Sequence, residues 1–143
     1  MSLKRPMRVL LVDDNPADRD LIQETLEEGT TRVEIVAVGD GVEAMDYLAE
    51  HPGPKGGACP DLMILDLNLP RLDGWGVLRA VKGDPKLRAL PIVVLTSSNA
   101  EADVRQCYDL GANSYLAKPM GLAEFRSVVH KVEEFWLETA KLP

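Results

Sequence analysis

Three short, unbroken apolar runs constrain the fold of this chain more than any other feature. They occupy residues 9–12, 62–65 and 92–95. A strand that is apolar at every position is buried on both faces, which is typical of the centre of a parallel sheet. Weaker strand patterns at 33–38 and 114–117 bring the predicted number of strands to five.

Helical patterns with their own start and stop signals lie between these strands. The first predicted helix begins at Asn15-Pro16, an N-cap followed by proline, and the second begins after Asp40. The third follows Gly74, and the fourth is predicted to start with a capping box at 98–101. The fifth begins near Leu122 and carries Phe125, Val129, Val132 and Trp136 on one face. Residues 51–58, rich in proline and glycine, predict a loop before the third strand.

Five strand–helix repeats predict an α/β fold with helices on both faces of a parallel sheet. For five strands we expect a flavodoxin-like, doubly wound sheet of order 2-1-3-4-5 with five helices. Residues 1–143 are predicted to form one domain with a core at about 7–138.

The composition argues against several classes of partner. The formal net charge is −7 and the pI is about 4.8, whereas nucleic-acid binding needs clustered lysine and arginine. No apolar run approaches the ~18 residues of a membrane span, and the N-terminus lacks the apolar segment of a secretory signal. The two cysteines, Cys59 and Cys107, show no metal-binding spacing and fit a reducing cytosol. We therefore expect a cytoplasmic protein without nucleic-acid or membrane partners.

Polar residues that can perform chemistry follow the predicted strands at their carboxyl ends. In an open parallel sheet these ends share one edge, which is where ligands bind. The residues at these positions are Asp13, Asp14, Asp66, Thr96 and Lys118. Each alone is commonly a turn, strand or surface residue, but their coincidence at one edge predicts a functional site.

The chemistry of this set indicates phosphoryl transfer assisted by a metal ion. Carboxylates that lie side by side raise one another's pKa, and a divalent cation removes that conflict. A small cluster of carboxylate oxygens suits Mg²⁺. A carboxylate next to such a cation can attack phosphorus to give an acyl phosphate, while Thr96 and Lys118 can bind phosphoryl oxygens.

The motifs resemble the receiver domains of two-component response regulators over essentially the whole chain. They are Val12-Asp13-Asp14, Leu65-Asp66-Leu67-Asn68-Leu69-Pro70 with Asp73-Gly74, Leu95-Thr96-Ser97, and Gly111-Ala112-Asn113-Ser114-Tyr115-Leu116-Ala117-Lys118-Pro119. The resemblance implies that Asp66 accepts the phosphoryl group and that Asp14, Asp66 and the backbone carbonyl of Asn68 bind Mg²⁺, with Asp13 acting through water.

The same resemblance implies a conformational switch and a particular backbone geometry. Thr96 would move to the new phosphoryl group and Tyr115 would turn inward, which would change the face formed by helix 4, strand 5 and helix 5. The Lys118-Pro119 peptide bond would be cis. Like the family, the chain would catalyse only its own phosphorylation and dephosphorylation.

The chain end and the long second loop are similar to the single-domain regulators that work with phytochrome-type kinases. The partners implied are a sensor histidine kinase and a downstream protein. Phe135, Trp136 and Leu137 are consecutive, so a helix points them about 100° apart and at least one must face outward. We expect Phe135 and Trp136 either to cap the core or to form a homodimer interface.

Two alternative functions share parts of this pattern. One is a phosphatase of the haloacid-dehalogenase type, but its D-x-D motif needs a general acid where this chain has Asn68. The other is an interaction module of the same fold that works without phosphorylation, for which an eroded acidic pocket would be expected. A nucleotide-binding domain is excluded because no glycine-rich phosphate loop follows the first strand.

Overall fold

The computed structural model describes residues 5–51 and 59–142, and most of the predicted loop at 51–58 therefore lies outside the described residues. The described chain alternates strands and helices, as predicted. The five strands are β1 (Met7–Val12), β2 (Val33–Val38), β3 (Leu62–Leu65), β4 (Ile92–Thr96) and β5 (Ser114–Ala117). The helices are α1 (Pro16–Glu27), α2 (Gly41–Glu50), α3 (Gly74–Gly83), α4 (Glu101–Asp109) and α5 (Leu122–Val132), with a continuation at Glu133–Thr139.

The strands form one parallel sheet in the order β2-β1-β3-β4-β5, which confirms the predicted topology. The three central strands are the unbroken apolar runs, and every residue of β3 and β4 is buried. Burial on both faces explains why these strands carry no polar alternation.

No helix in the described ranges is long and apolar enough to cross a membrane.

Alternate side chains of the central strands supply two cores, one on each face of the sheet. The first core cluster includes Leu10, Met63 and Val94 and is covered by α2, α3 and α4. The second core cluster includes Leu11, Ile64 and Val93 and is covered by α1 and α5. A strand shifted by one residue would exchange these faces, so the two cores together fix the strand register.

Local capping explains where most of the helices begin. The side chains of Asn15, Asp40 and Asp73 accept hydrogen bonds from backbone N–H groups in the first turns of α1, α2 and α3. The capping box predicted for α4 is wrong, because the N-cap is Ala100, which has no side-chain acceptor. Ser98 instead donates to the carboxylate of Asp103 at 2.5 Å, which takes its hydroxyl away from the capping position.

The fifth helix changes its geometry near its end. It is an α-helix to Val132 and a π-helix from Glu133 to Thr139, so the predicted helix does continue past Val132, but with a wider turn. The wider turn is visible in the bond from the N–H of Ala140 to the carbonyl of Phe135, five residues earlier. Within it Leu137 returns to the second core cluster, and Trp136 packs against that cluster.

Candidate functional site

The sheet brings the predicted site residues together by extending its hydrogen-bond ladder beyond the strands. The N–H of Asp66 donates to the carbonyl of Val12 at 2.9 Å, and the N–H of Lys118 donates to the carbonyl of Thr96 at 2.7 Å. The residues that follow β1, β3, β4 and β5 are therefore adjacent. Asp13, Asp14, Asp66, Thr96 and Lys118 all lie at this edge, as predicted from the sequence.

Asp66 is a buried carboxylate whose two oxygens have different partners. Oδ1 accepts from the backbone N–H of Leu67 at 2.7 Å and from the hydroxyl of Thr96 at 2.8 Å, with the N–H of Asn68 at 3.4 Å. Oδ2 accepts from the ammonium of Lys118 at 2.8 Å. With only 6% of the residue exposed, the carboxylate is held in one orientation at the floor of the site.

Lys118 is the common partner of the carboxylates. Its Nζ lies 2.7 Å from Asp13, 2.8 Å from Asp66 and 2.9 Å from Asp18, and 6% of its side chain is exposed. Burial alone would lower the pKa of this ammonium, but the hydrogen bonds to the three carboxylates outweigh it and raise the pKa. The lysine therefore carries a fixed positive charge.

Asp18 is a site residue that the sequence analysis missed. It lies in the first turn of α1, where its backbone N–H donates to the N-cap side chain of Asn15. An acidic residue at this position is normally explained by the helix dipole alone. The available signal was its place one helical turn after Asp13-Asp14, which points its carboxylate back toward the same sheet edge.

Three carboxylates of the site form a cluster with the geometry of a metal site. Asp13, Asp14 and Asp66 each offer an oxygen, and these oxygens lie within 4.8 Å of one another. Burial raises the pKa of the Asp13 carboxyl, although hydrogen bonds from Lys118 and from the N–H of Asn15 oppose this. With Asp18, the site contains four carboxylates and one ammonium, which contacts three of them. This excess of negative charge and the hard oxygen donors fit a divalent cation such as Mg²⁺.

The two predicted switch residues already have partners. Thr96 already donates to Asp66, so a move toward a phosphoryl group would exchange one acceptor for another. The hydroxyl of Tyr115 donates to the carbonyl of Ser98 at 2.6 Å, and the ring packs against the first core cluster. Tyr115 thus ties β5 to the loop between β4 and α4, directly beside Thr96.

The expectation of a cis bond between Lys118 and Pro119 is wrong for this structure. No cis peptide bond occurs between residues in the described ranges, so this bond is trans. Trans is the intrinsically favoured isomer even before proline. Lys118 makes its contacts with all three carboxylates with the bond in this form.

The aromatic pair near the chain end is divided between core and solvent. Trp136 is partly buried against the second core cluster, whereas 54% of Phe135 is exposed. The two rings meet edge to face with their centroids 5.1 Å apart. The prediction that at least one of the three consecutive apolar residues faces outward is confirmed by Phe135.

The chain is similar to known proteins along nearly its whole length. A family model described as the response regulator receiver domain matches residues 9–130. The response regulator Rcp1 of Synechocystis sp. is 42% identical over 138 residues, which cover 96% of this chain and 94% of that relative.

Two solved structures have the same fold at closely similar geometry. The Mn²⁺-bound form of response regulator Rcp1 is 42% identical with a TM-score of 0.90, and the match covers 96% of this chain and 99% of that one. The phosphorylated cyanobacterial phytochrome response regulator RcpA is 45% identical with a TM-score of 0.90, and the match covers 97% of this chain and 99% of that one.

Proposed function

The chain belongs to the response regulator receiver domain family, and from that premise we propose that it accepts a phosphoryl group on Asp66 and signals through the resulting change of shape. The observation that carries this proposal is the surroundings of Asp66. Its buried carboxylate lies between the ammonium of Lys118 and the hydroxyl of Thr96, at the edge of the acidic cluster. A nucleophile, a metal site and two phosphoryl-binding groups thus converge on one point.

The transfer is a substitution at phosphorus. An oxygen of Asp66 attacks the phosphorus of a phosphohistidine on a sensor histidine kinase and forms a new O–P bond. The bond from phosphorus to the imidazole nitrogen breaks, and its electron pair stays on the nitrogen, which takes up a proton. The backbone N–H of Leu67 and the hydroxyl of Thr96 hold the attacking carboxylate in place beforehand, which reduces the orientation needed in the transition state. The chain catalyses only its own phosphorylation and dephosphorylation.

The residues that would hold Mg²⁺ are Asp14, Asp66 and the backbone carbonyl of Asn68, with Asp13 acting through water. When bound, the ion supplies charge neutralisation that lets a phosphoryl group approach the carboxylates. Asp14 is exposed and lies at the mouth of the cluster, whereas Asp13 is buried and bonded to Lys118. The exposed Asp14 thus suits direct binding to the ion, and the buried Asp13 suits binding through a water molecule.

Lys118 and Thr96 have the chemistry to bind the transferred group. The phosphoryl group adds about −1.5 to −2 charges to a site that already has an excess of carboxylates. Lys118 can move from Asp66 toward a phosphoryl oxygen while it retains its charge, and Thr96 can exchange its bond to Asp66 for a stronger one to the phosphoryl group.

We propose that this exchange of partners is the switch. Thr96 lies beside the loop that Tyr115 ties to β5 through Ser98. A shift of Thr96 toward the phosphoryl group opens space next to this loop, and Tyr115 can follow it inward. The face built from α4, β5 and α5 then changes shape, and a downstream protein binds one of its two forms.

We propose a more specific kinase partner than membership of the family alone implies. The 45% identity to the phytochrome response regulator RcpA supports a phytochrome-type histidine kinase as the phosphoryl donor. The near-complete coverage of Rcp1 and RcpA supports residues 1–143 acting as a single receiver unit, with its core at about 7–138. We place the protein in the cytoplasm, where ATP supplies such kinases.

We further propose a homodimer that uses α5 and its π-helical continuation. Phe135 presents an exposed aromatic ring there, and aromatic side chains are enriched at protein interfaces. The surface lies on the same element as the proposed output face, so phosphorylation and assembly would be coupled.

A mass measurement tests the phosphoryl acceptor. The purified chain, mixed with a small phosphodonor, should gain the mass of one phosphoryl group when Mg²⁺ is present and not when it is chelated. Asp66→Asn should abolish the gain, whereas the exposed Asp20→Asn on α1 should retain it. Equal labelling of Asp66→Asn and the unaltered chain would refute the assignment.

A further inference from the structure

The loop between β3 and α3 carries Asn68 and is closed upon itself. The carbonyl of Leu67 accepts from the N–H of Leu69 at 3.1 Å and from the N–H of Gly74 at 2.9 Å, which pinches the base of the loop. A Cβ on Gly74 would collide with the backbone of Asp66 and Leu67, so only glycine permits this closure. The tip of the loop is the turn through Pro70 and Arg71.

Arg71 has an unusual backbone conformation at this tip. Its φ is 65°, and among the described residues it is the one non-glycine residue with a positive φ. The N–H of Leu72 donates to the carbonyl of Pro70 at 2.8 Å, which closes a three-residue turn centred on Arg71. Glycine is favoured at a positive φ, because a Cβ disfavours this region. A residue with a long side chain at this position therefore calls for a compensating contact.

The compensating contact is with Asp40, at the start of α2. Nε of Arg71 lies 3.0 Å from Oδ2 of Asp40, and its terminal nitrogen lies 2.9 Å from Oδ2 and 3.2 Å from Oδ1. Asp40 is only 8% exposed and is fixed as the N-cap of α2 by the N–H of Glu43 at 2.8 Å. The guanidinium thus holds a carboxylate that cannot easily move.

The two elements also touch through their backbones. A Cβ on Gly41, the first residue of α2, would collide with the carbonyl oxygen of Leu72. The tip of the loop is therefore pressed against the first turn of α2, and the ion pair holds it there. Asn68 lies between this anchored tip and the closed base.

We propose that the Arg71–Asp40 pair is a latch that positions the β3–α3 loop, so that both residues act as positioning residues for the metal site. The inference rests on the proposed function, because it concerns the backbone carbonyl of Asn68 as a ligand. An ion pair whose arginine side chain is 57% exposed contributes little to global stability, even though its carboxylate is buried. Its effect here is instead to restrict one loop, and partners that orient metal ligands matter chiefly for metal affinity.

Calorimetric titration with Mg²⁺ tests the latch on the whole chain. Arg71→Ala and Asp40→Asn should each weaken Mg²⁺ binding by roughly tenfold, the lower end of what outer partners of metal ligands contribute. Asp40→Asn keeps a side-chain oxygen to cap α2, so it removes the charge but not the cap. Arg71→Gly should weaken binding as Arg71→Ala does, because the glycine accepts the left-handed backbone but lacks the guanidinium.

A double variant and two controls test whether Arg71 and Asp40 affect Mg²⁺ affinity as one unit. Because the latch acts as a unit, Arg71→Ala combined with Asp40→Asn should bind Mg²⁺ no more weakly than either single variant. Arg126→Ala removes an arginine of α5 that pairs with Glu28 at 2.9 Å, and it should leave Mg²⁺ affinity unchanged. Unfolding curves without Mg²⁺, recorded for every variant, should show all of them folded at the titration temperature.

Wild-type affinity in both single variants, or additive losses in the double variant, would overturn the latch. The proposed function fails in a different way. If the unaltered chain bound no Mg²⁺, or if Asp14→Ala bound it as well as the unaltered chain does, the metal site itself would be wrong.

Discussion

Lys118 determines the electrostatics of the site at the scale of single residues. Its ammonium is the shared partner of Asp13, Asp18 and Asp66, and the three contacts lie between 2.7 and 2.9 Å. Each contact favours the charged form of the lysine. Because one ammonium is shared among three carboxylates, their negative charge is only partly neutralised. A phosphoryl group, which is itself negative, therefore needs additional positive charge to enter the site, and a divalent cation bound by the acidic cluster supplies it.

Glu133, in the π-helical continuation of α5, is a buried charged residue outside this site. The residue is 4% exposed. In the described part of the chain, its Oε2 is the one buried side-chain nitrogen or oxygen atom without a hydrogen-bond partner. Its carboxylate occupies the space that a side chain on Gly29 would need, at the end of α1. The imidazole of His130 is 3.6 Å from Oε1, and Glu134 and Glu138 add repulsion.

Replacing Glu133 with glutamine should stabilise the protein near pH 7. Burial raises the pKa of the Glu133 carboxyl, and its contact with His130 only partly opposes this. A carboxyl with a raised pKa in the folded state contributes most to stability below its unfolded pKa of about 4.3, and this contribution is lost as the pH rises through the folded value. Thermal unfolding should thus show a higher midpoint for Glu133→Gln at pH 7, with the difference shrinking on acidification.

The neighbouring exposed residue supplies the control for this measurement. Glu134→Gln removes the same charge from an exposed position of the same turn and should shift the midpoint much less. A lower midpoint for Glu133→Gln at pH 7 would show instead that the buried carboxylate is satisfied by a partner.

Among the secondary-structure elements, α4 departs from its sequence signal at its first turn. Ser98 and Glu101 have the spacing of a capping box, but Ser98 turns its hydroxyl to Asp103 and the helix begins one position after Ala100. A hydrogen bond between two side chains thus decided the start of the helix, and sequence spacing does not reveal such a competition.

Serine at position 100 should stabilise α4. Alanine is a poor N-cap, whereas serine can accept from the backbone N–H of Asp103, so Ala100→Ser should raise the free energy of unfolding by about 1 kcal/mol. Urea unfolding measures this directly. Ala102→Ser, two residues into the same exposed turn, should not stabilise the protein. Equal effects of the two changes would contradict the capping argument.

The elements that the sequence predicts well are those set by burial. The runs in β1, β3 and β4 are apolar because both faces of these strands are covered, so pattern and structure have one cause. The π-helical turn after Val132 could not be predicted, because helical patterns in a sequence are recognised by a period of 3.6 residues. The wider turn becomes apparent only from the packing of Leu137 on the core. The same holds for Asp18 and Arg71, whose roles depend on residues distant in sequence.

At the scale of the whole molecule, the sheet order explains how distant segments form one site. Strand order 2-1-3-4-5 places β1 and β3 next to each other, so Asp13 and Asp66 meet although 53 positions separate them, and β5 adds Lys118. The same topology places α4, β5 and α5 along one side of the molecule. Phosphorylation of Asp66 can therefore alter this exposed face through two residues, Thr96 and Tyr115.

The proposed dimer is tested by sedimentation over a range of protein concentrations, with and without a phosphoryl mimic. Phe135→Ala should weaken self-association by roughly tenfold or more, since exposed aromatic anchors dominate interface energies. Trp136→Ala should weaken it as well, but it should also lower stability because Trp136 packs on the second core cluster.

A control for this dimer lies at the opposite edge of the sheet. Val36 on β2 is a partly exposed apolar residue, and Val36→Ala should leave association unchanged. A monomer at every concentration, in both states, would remove the dimer from this account.

Chemical mapping of the modified residue shows whether the phosphoryl group resides on Asp66. The chain is phosphorylated with a small donor and Mg²⁺, and borohydride then reduces the acyl phosphate, converting the modified aspartate to homoserine. Peptide mass mapping locates the converted residue. Conversion is expected at Asp66 alone. Conversion at Asp13 or Asp14, or at no aspartate despite a measured gain of phosphoryl mass, would refute Asp66 as the acceptor.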